Sequence, residues 1–271
     1  MDVLVRGPYV TLARDFERGT RLRNLVDEGV LDPGILRPAW PFGDEPLYLH
    51  QERAARAGAA GRPFLVTTGT GSGKTECFLI PAIDHCLKAR ARGEEGVKVV
   101  LLYPMNALAN DQLERLRALL RGSGLPVTFG LYVQQDADKL ELPEPPVEGL
   151  ERTNRMQIRA EPPDILLTNY KMLEYLLVRK EDRHLFTSAL RFLVVDEIHS
   201  YRGALATEIA CLIRRLKAHA GLEPGRLTAV GTSATVAQGE EGVRALAAFA
   251  TALFGEEVDP ADVFAEHLAP S

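Results

Sequence analysis

The sequence contains little that would suggest a disulfide-bonded, membrane-spanning or strongly basic protein. Its 271 residues include three cysteines, Cys77, Cys86 and Cys211, with no Cys-x-x-Cys pair and no metal-binding spacing. The most apolar window, 245–254, is far shorter than the roughly 20 residues that cross a bilayer. The formal net charge is −5, so contact with nucleic acid must come from a local surface. We therefore expect free, buried thiols and a cytoplasmic protein without membrane contact.

Apolar runs and amphipathic segments alternate from about residue 47 onward. Runs such as 99–102 and 192–195 are apolar at every position, which is typical of strands buried on both faces of a parallel sheet. The segments 105–121 and 203–219 instead place apolar residues at helical spacing. The predicted strands are 64–68, 98–103, 127–133, 164–168, 191–195 and 227–232. This alternation predicts an α/β fold with a mostly parallel sheet between helical layers.

The other segments lack this alternation. Residues 1–45 are rich in Arg, Asp, Gly and Pro and are predicted to form an N-terminal extension with two short helices. The α/β domain is predicted to span 46–255, and 256–271 to form a C-terminal tail. Residues 136–163 contain five prolines among many acids, which predicts a solvent-exposed insertion.

A glycine-rich turn follows the first predicted strand and leads into a predicted helix. Small residues in such a turn let backbone N–H groups approach a polyphosphate, and the helix presents its positive end. The lysine reaches the β- and γ-phosphates, and the threonine after it ligates Mg²⁺. Thr68 stands where the strict pattern has glycine. The residues predicted to bind the nucleotide are Thr68, Gly69, Thr70, Gly71, Ser72, Gly73, Lys74 and Thr75.

Two acids follow the apolar run 192–195. A carboxylate at the end of a buried strand offers Mg²⁺ the hard oxygen ligand that it prefers, a role that suits Asp196. Glu197 can then orient and deprotonate the attacking water. The pair alone is also compatible with a solvated turn, but the phosphate loop upstream favours catalysis. Lys74, Asp196 and Glu197 are the predicted catalytic residues, with Thr75 and Asp196 as ligands of Mg²⁺.

Three stretches together resemble motifs I, II and III of the superfamily 2 DEAD/DEAH-box helicases. They are 68–75, 196–199 with the sequence Asp-Glu-Ile-His, and 233–235 with the sequence Ser-Ala-Thr. The resemblance implies the first RecA-like domain of a P-loop NTPase, with ATP and Mg²⁺ as ligands. His50-Gln51 resembles the Q motif of the family, which implies that Gln51 reads the adenine edge; an ordinary polar surface residue is the alternative. The residues implied to couple the nucleotide site to the third motif are His199, Ser233, Ala234 and Thr235.

Two further stretches resemble the loops with which these helicases hold the phosphates of one nucleic-acid strand. Residues 103–112 are similar to motif Ia, and 168–173 are similar to motif Ib. A neutral loop at a helix N-terminus can bind phosphate without a basic patch, which reconciles strand binding with an acidic chain. Helix capping is the alternative role for these side chains. The residues predicted to contact nucleic acid are Pro104, Asn106, Thr168 and Asn169.

The same stretches are similar to helicases related to the Hrq and Mrf repair enzymes, which usually carry a C-terminal zinc-binding region and have relatives in bacterial anti-phage systems. DNA is then the expected substrate. A motor of this kind needs a second RecA-like domain, but nothing after Thr235 resembles the arginine motif of that domain. We expect a fragment, a truncated product or half of a split enzyme, weakly active alone. The alternatives are a non-motor ATP-binding scaffold for a partner chain and a P-loop kinase, which the Ser-Ala-Thr stretch disfavours.

Overall fold

Eight parallel strands form one sheet. The computed structural model describes residues 15–69, 71–134, 142–234 and 239–267. The strands are β1 (Phe64–Thr67), β2 (Val99–Tyr103), β3 (Phe129–Tyr132), β4 (Glu151–Arg152), β5 (Ile165–Asn169), β6 (Phe192–Val195), β7 (Thr228–Ser233) and β8 (Val263–Ala265). Their order in the sheet is β4-β3-β5-β2-β6-β7-β1-β8, and each neighbouring pair is parallel. The six strands predicted from the sequence are confirmed, each with ends within two residues of those expected.

Helices cover both faces of the sheet. They are α1 (Leu22–Asp27), α2 (Leu49–Ala59), α3 (Lys74–Ala91), α4 (Asn106–Leu120), α5 (Arg155–Ala160), α6 (Tyr170–Val178), α7 (Ala204–His219) and α8 (Gly239–Phe254). Alternate residues of a strand point to opposite faces. On β2, Leu101 belongs to the core that includes α3 and α4, whereas Leu102 belongs to the core that includes α7 and α8. Burial on both faces explains why the central strands are apolar at every position.

The segment before α2 is packed into the core. Leu25, Ile35 and Trp40 are buried together with residues of α2 and α3. The indole N–H of Trp40 donates to the Ile35 carbonyl at 2.8 Å, and the Asp32 N–H donates to the Asp84 carboxylate on α3 at 2.6 Å. Of the two short helices predicted here, the structure has α1 and a 3-10 turn. This segment therefore helps to hold α3, whose first turn belongs to the site described below.

The predicted exposed insertion, 136–163, is partly buried. Residues 135–141 lie outside the described part of the chain, but Glu151 on β4 is buried and accepts two hydrogen bonds from Arg117, at 2.7 and 2.8 Å. Ile158 on α5 is also buried. The prediction of exposure is wrong for these residues. Acid and proline content suggested solvent, but a carboxylate paired with a bidentate guanidinium can be buried.

The sheet extends past residue 255, where the domain was predicted to end. β8 lies beside β1 and pairs with Leu65, Val66 and Thr67. Its Phe264 is buried, with the ring centre 5.7 Å from that of Phe64. Residues 256–267 are therefore packed against the strand that leads into the phosphate loop, and the prediction of a separate tail is wrong for them.

The cysteines agree only in part with the expectation of buried thiols. Cys77 and Cys86 are buried, and burial raises the pKa of both thiols well above the ordinary value. Cys211 is exposed, because it lies on the outer face of α7. No helix that the structure describes combines the length and the apolar character that a membrane crossing needs.

Candidate active site

The carboxyl ends of three strands lie side by side along one edge of the sheet. β7 lies between β6 and β1. The phosphate loop follows β1, Asp196 and Glu197 follow β6, and Ser233 ends β7. Ligands of doubly wound sheets bind beyond this edge. The topology therefore brings the first, second and third predicted motifs to one place.

The phosphate loop enters α3 through Gly73, whose backbone is left-handed with a φ of 75°. The left-handed backbone favours glycine, and a Cβ on this residue would lie 2.2 Å from the amide nitrogen of Gln51 and displace that side chain. Lys74 is the first residue of α3, and no side chain caps the helix. The first N–H groups and the positive end of α3 are therefore available to an anion.

Side chains within the loop fix its shape. The Ser72 hydroxyl lies 2.6 Å from Thr68 Oγ1, and both residues are fully buried. Lys74 Nζ donates to the Thr68 carbonyl at 3.1 Å. Thr68 thus supplies a hydroxyl that the more usual glycine lacks, and this hydroxyl holds the turn from inside. Thr70 lies outside the described residues.

Gln51 is bound to the loop. Its Oε1 accepts the Tyr48 N–H at 2.9 Å, and its Nε2 donates to the Gly73 carbonyl at 3.2 Å. An amide oxygen has a second lone pair and an amide nitrogen a second hydrogen, so this side chain can still pair with a base. Gln51 lines a cavity beside the phosphate loop, and its contact with adenine stays a prediction.

A cavity of about 360 Å³ opens beside the loop. Gly71 and Gly73 line one part of it, and Arg18, Phe42 and Tyr48 line another. The Arg18 guanidinium lies 4.5 Å from the centre of the Tyr48 ring. Aromatic rings and planar guanidinium groups are surfaces on which a base stacks. No local motif in the sequence marks Arg18 and Phe42, so neither was predicted.

Asp196 lies directly after β6 and is held by a buried hydroxyl. Its Oδ1 accepts a hydrogen bond from Thr232 Oγ1 on β7. Burial raises the pKa of the Asp196 carboxyl, against the opposing effects of the Thr232 hydrogen bond and the Lys74 charge. Thr232 was not predicted; the sequence signal for it is a hydroxyl residue directly before the Ser-Ala-Thr stretch.

Glu197 has a left-handed backbone, with φ 54° and ψ 49°. Among the residues that the structure describes, no other residue except glycine has a positive φ. Such conformations cost about 1–3 kcal/mol and persist where neighbouring groups hold them. Here the Glu197 N–H donates to Thr232 Oγ1 at 3.1 Å, and the Glu197 carbonyl accepts the Ser200 N–H at 2.8 Å. Strain at this position fits a functional turn.

His199 contacts both the second acid and the third motif. Its Nδ1 lies 3.0 Å from Glu197 Oε2 and 3.3 Å from Ser233 Oγ. One ring nitrogen thus stands between the two predicted motifs, and the coupling role of His199 and Ser233 stays a prediction. Ala234 is exposed, and Thr235 lies outside the described residues.

The predicted strand-binding residues lie at the ends of β2 and β5, which pair with each other. Asn169 Nδ2 donates to Asn106 Oδ1 at 2.7 Å, and Asn169 Oδ1 caps α6 by accepting the Met172 N–H at 2.9 Å. The alternative role of helix capping is therefore present at Asn169. Asn106 is exposed at the first position of α4, and Pro104 before it is half-buried. Both remain accessible to a nucleic-acid strand.

Thr168 is placed differently from the prediction. It is fully buried, and its hydroxyl donates to the Tyr132 carbonyl at 2.7 Å across the β3–β5 pair. The side chain joins two strands and does not face solvent, so a side-chain contact with nucleic acid is not supported. Contact of nucleic acid with the backbone at Thr168 stays a prediction.

A carboxylate contacts the phosphate loop from the far end of the chain. The Gly69 N–H donates to Glu266 Oε2 at 3.0 Å. Glu266 directly follows β8, and the pairing of β8 with β1 brings it to the carboxyl edge of the sheet. Glu266 Oε2 thus occupies the acceptor position at the Gly69 N–H, which an anionic oxygen of a ligand could also occupy. The two residues are 197 positions apart, so no local pattern reveals the contact.

The residues at this edge fit a nucleotide with its metal. No side chain caps the first N–H groups of α3, and the Gly69 N–H already donates to a carboxylate oxygen. Both kinds of donor are suited to phosphate oxygens. Thr67 Oγ1 is buried there without a hydrogen-bond partner. Mg²⁺ needs one or two protein oxygens besides water and phosphate, which Thr75 and Asp196 can supply. Within the described ranges, no three or more His, Cys, Asp or Glu side chains form a dedicated metal site.

Comparison with known proteins finds related sequences over the same region. Residues 48–242 match the family model "DEAD/DEAH box helicase". The Druantia protein DruE of Escherichia coli (strain UMEA 4076-1) is 28% identical across 73% of this chain. The ATP-dependent helicase HRQ1 of Saccharomyces cerevisiae (strain ATCC 204508 / S288c) is 29% identical across 71%. The chain spans 16% of the length of each of these two relatives.

A solved structure shares the fold. The DUF1998 helicase MrfA bound to DNA has a TM-score of 0.70 and 25% identity, and the match covers 95% of this chain and 30% of that one. The similarity extends over the sheet and both helical layers. It therefore includes the strands that carry the phosphate loop and the paired acids.

Proposed function

Because the chain belongs to the DEAD/DEAH box helicase family, we propose that it is the ATP-hydrolysing motor domain of a DNA helicase or translocase. The predicted superfamily, the RecA-like fold class and the kinship with the Hrq and Mrf helicases are confirmed. The choice of DNA is supported by MrfA, whose solved structure contains DNA. The zinc-binding region expected of such relatives is not tested by these matches.

One observation carries the proposal: the uncapped start of α3 and the paired acids lie at the same edge of the sheet, with only β7 between the two strands that lead into them. We assign the triphosphate of ATP to the first N–H groups of α3 and to Lys74, which must leave the Thr68 carbonyl to reach it. The adenine base then occupies the cavity beside Gln51.

Glu197 is the proposed general base for hydrolysis. Its carboxylate accepts the proton of the water that attacks the γ-phosphorus, and His199 beside it helps to orient that carboxylate. Lys74 stabilises the negative charge that develops on the phosphate oxygens. Thr75 and Asp196 would hold Mg²⁺, which would supply neutralisation of the phosphate charge.

Full activity is proposed to need a second RecA-like domain in addition to this one. In related NTPases an arginine finger contributes about 10³–10⁵ in rate. No stretch after Thr235 resembles the arginine motif that such a domain carries. The relatives DruE, HRQ1 and MrfA are several times longer than the part matched here, which is compatible with further domains in them.

Single-stranded DNA is expected to raise a slow ATPase rate of this chain several-fold. The DNA strand would contact Pro104, Asn106 and Asn169, beside the two acids that follow the neighbouring β-strand β6. Asn106→Ala is expected to lower the affinity for a labelled oligonucleotide about three- to tenfold, because a neutral contact to phosphate is lost, and to leave ATP affinity unchanged. Fluorescence anisotropy and a phosphate-release assay measure the two quantities.

The control for this variant is Asn24→Ala, which removes an exposed asparagine from α1. Equal DNA affinity for Asn106→Ala and the unchanged chain would refute the strand site. Strong unwinding of a duplex by the purified chain alone would refute the need for a second domain. Absence of any DNA effect, together with stable binding to a partner chain, would favour the scaffold alternative.

Glu266→Gln is expected to increase the affinity for ATP about three- to tenfold. The carboxylate competes with the triphosphate for the Gly69 N–H, and its charge repels the phosphates, whereas glutamine keeps the shape without the charge. Calorimetric titration with ATP at low and high salt measures the change, and the difference is expected to shrink at high salt. Glu257→Gln, which changes an exposed acid in the same segment, is the control. Unchanged or weaker ATP binding by Glu266→Gln would exclude this competition.

A further inference from the structure

We propose that Thr232 is a positioning residue that holds both acids of the hydrolytic site in their working geometry; this role rests on the proposed function. Thr232 is fully buried on β7. Its one hydroxyl hydrogen is donated to Asp196 Oδ1, and a lone pair of the same oxygen accepts the Glu197 N–H at 3.1 Å. A hydroxyl can donate once and accept at the same time, so a single side chain serves both neighbours.

The two contacts act on different properties of the acids. At Asp196 the hydroxyl fixes one carboxylate oxygen, which leaves the other oxygen as the one that would face a bound metal. At Glu197 it holds the backbone, which is left-handed and strained. Loss of the hydroxyl would therefore leave a half-buried carboxylate oxygen without its donor and a strained N–H without its acceptor.

The position of Thr232 in the sheet explains why it contacts both acids. β7 lies between β6, which leads into the acids, and β1, which leads into the phosphate loop. Thr232 is in register with Val66 on β1, and the next residue, Ser233, lies 3.3 Å from His199 Nδ1. Thr232 therefore lies at the centre of the three motifs, although it belongs to none of them in the sequence.

Substitutions of matched size separate positioning from packing. Valine has the shape of threonine without the hydroxyl, and serine keeps the hydroxyl without the methyl group. Groups that orient metal ligands typically contribute about 10- to 100-fold in metal affinity or activity. Thr232→Val is expected to lower ATP turnover by about 10- to 100-fold, whereas Thr232→Ser stays within about threefold of the unchanged chain. Packing alone would give the reverse order, because valine fills the site better than serine.

The experiment compares the unchanged chain with both variants and with Thr228→Val, which removes a buried hydroxyl from the opposite end of β7. ATP affinity is measured by calorimetry in Mg²⁺ and in EDTA, turnover by phosphate release, and folding by thermal melting. Thr232→Val is expected to lose most of the gain in affinity that Mg²⁺ provides, with affinity in EDTA unchanged. Thr228→Val is expected to behave as the unchanged chain in all four measurements.

The outcomes distinguish this inference from the proposed function. If the unchanged chain binds and hydrolyses Mg-ATP and Thr232→Val matches it, the positioning role is overturned while the function stands. If the unchanged chain does not bind Mg-ATP, the proposed function itself fails. Should Thr232→Val not fold, Thr232→Cys decides, because a thiol is similar in size and a weak hydrogen-bond donor. Turnover of Thr232→Cys equal to that of Thr232→Ser would then overturn the role.

Discussion

Replacement of Lys74 by alanine is expected to reduce the affinity for Mg-ATP by about 100-fold or more. An ammonium in contact with phosphate forms charge-assisted hydrogen bonds, each contributing about 1.5–3 kcal/mol, and about 1.4 kcal/mol corresponds to a tenfold change in affinity. In the unliganded chain the side chain donates to the Thr68 carbonyl and is half-buried, so its removal costs the fold little. Calorimetric titration measures the affinity, and thermal melting checks the fold.

The control is Lys180→Ala, which removes an exposed lysine after α6 and the same formal charge. It is expected to bind Mg-ATP as the unchanged chain does. An ATP affinity that survives in Lys74→Ala would show that the glycine-rich turn is not the phosphate site. The assignments of Thr75 and the α3 N-terminus would fail with it.

Glu197→Gln is expected to keep the affinity for ATP and to lower the rate of hydrolysis by about 10²–10⁴. Glutamine has the shape of glutamate but cannot accept the proton of the attacking water. The left-handed backbone is no harder for glutamine than for glutamate, and the N–H bond to Thr232 does not involve the side chain. Single-turnover phosphate release measures the rate, and calorimetry measures binding under the same conditions.

Glu208→Gln, an exposed acid on α7, provides the matched control and is expected to hydrolyse ATP at the unchanged rate. A Glu197→Gln variant that retains the rate of the unchanged chain would exclude Glu197 as the general base. Loss of ATP binding in the same variant would point instead to a ligand role for this carboxylate.

The phosphate loop and the paired acids were predictable because each is continuous in the sequence. A strand followed by a glycine turn and Gly73-Lys74 forms its site from neighbouring residues, and the same holds for Asp196 and Glu197 after β6. The parallel order of the strands then decides that the two sites meet. The parallel direction follows from the alternation of strands and helices in the sequence, whereas the position of β7 between β1 and β6 is seen only in the structure.

The features that were missed depend on contacts between distant residues. Thr232 is hydrogen-bonded to Asp196, 36 positions away, and Glu266 to Gly69, 197 positions away. Neither Thr232 nor Glu266 belongs to a sequence motif. Glu151 was predicted to lie in an exposed loop because acids and prolines surround it. In the structure it is buried and accepts hydrogen bonds from Arg117 on α4. Local composition shows that a segment rich in acids prefers solvent, but it does not show a distant guanidinium that pairs with one of those acids and allows its burial.

A crystal structure of the chain with Mg²⁺ and a non-hydrolysable ATP analogue would decide whether one ligand joins the phosphate loop to the paired acids. We expect the triphosphate on the first turn of α3 with Lys74 at the β- and γ-phosphates, the metal between Thr75 and Asp196, and Glu266 displaced from the Gly69 N–H. A nucleotide bound away from this edge, or a bound metal with Asp196 turned away from it, would contradict the proposed site.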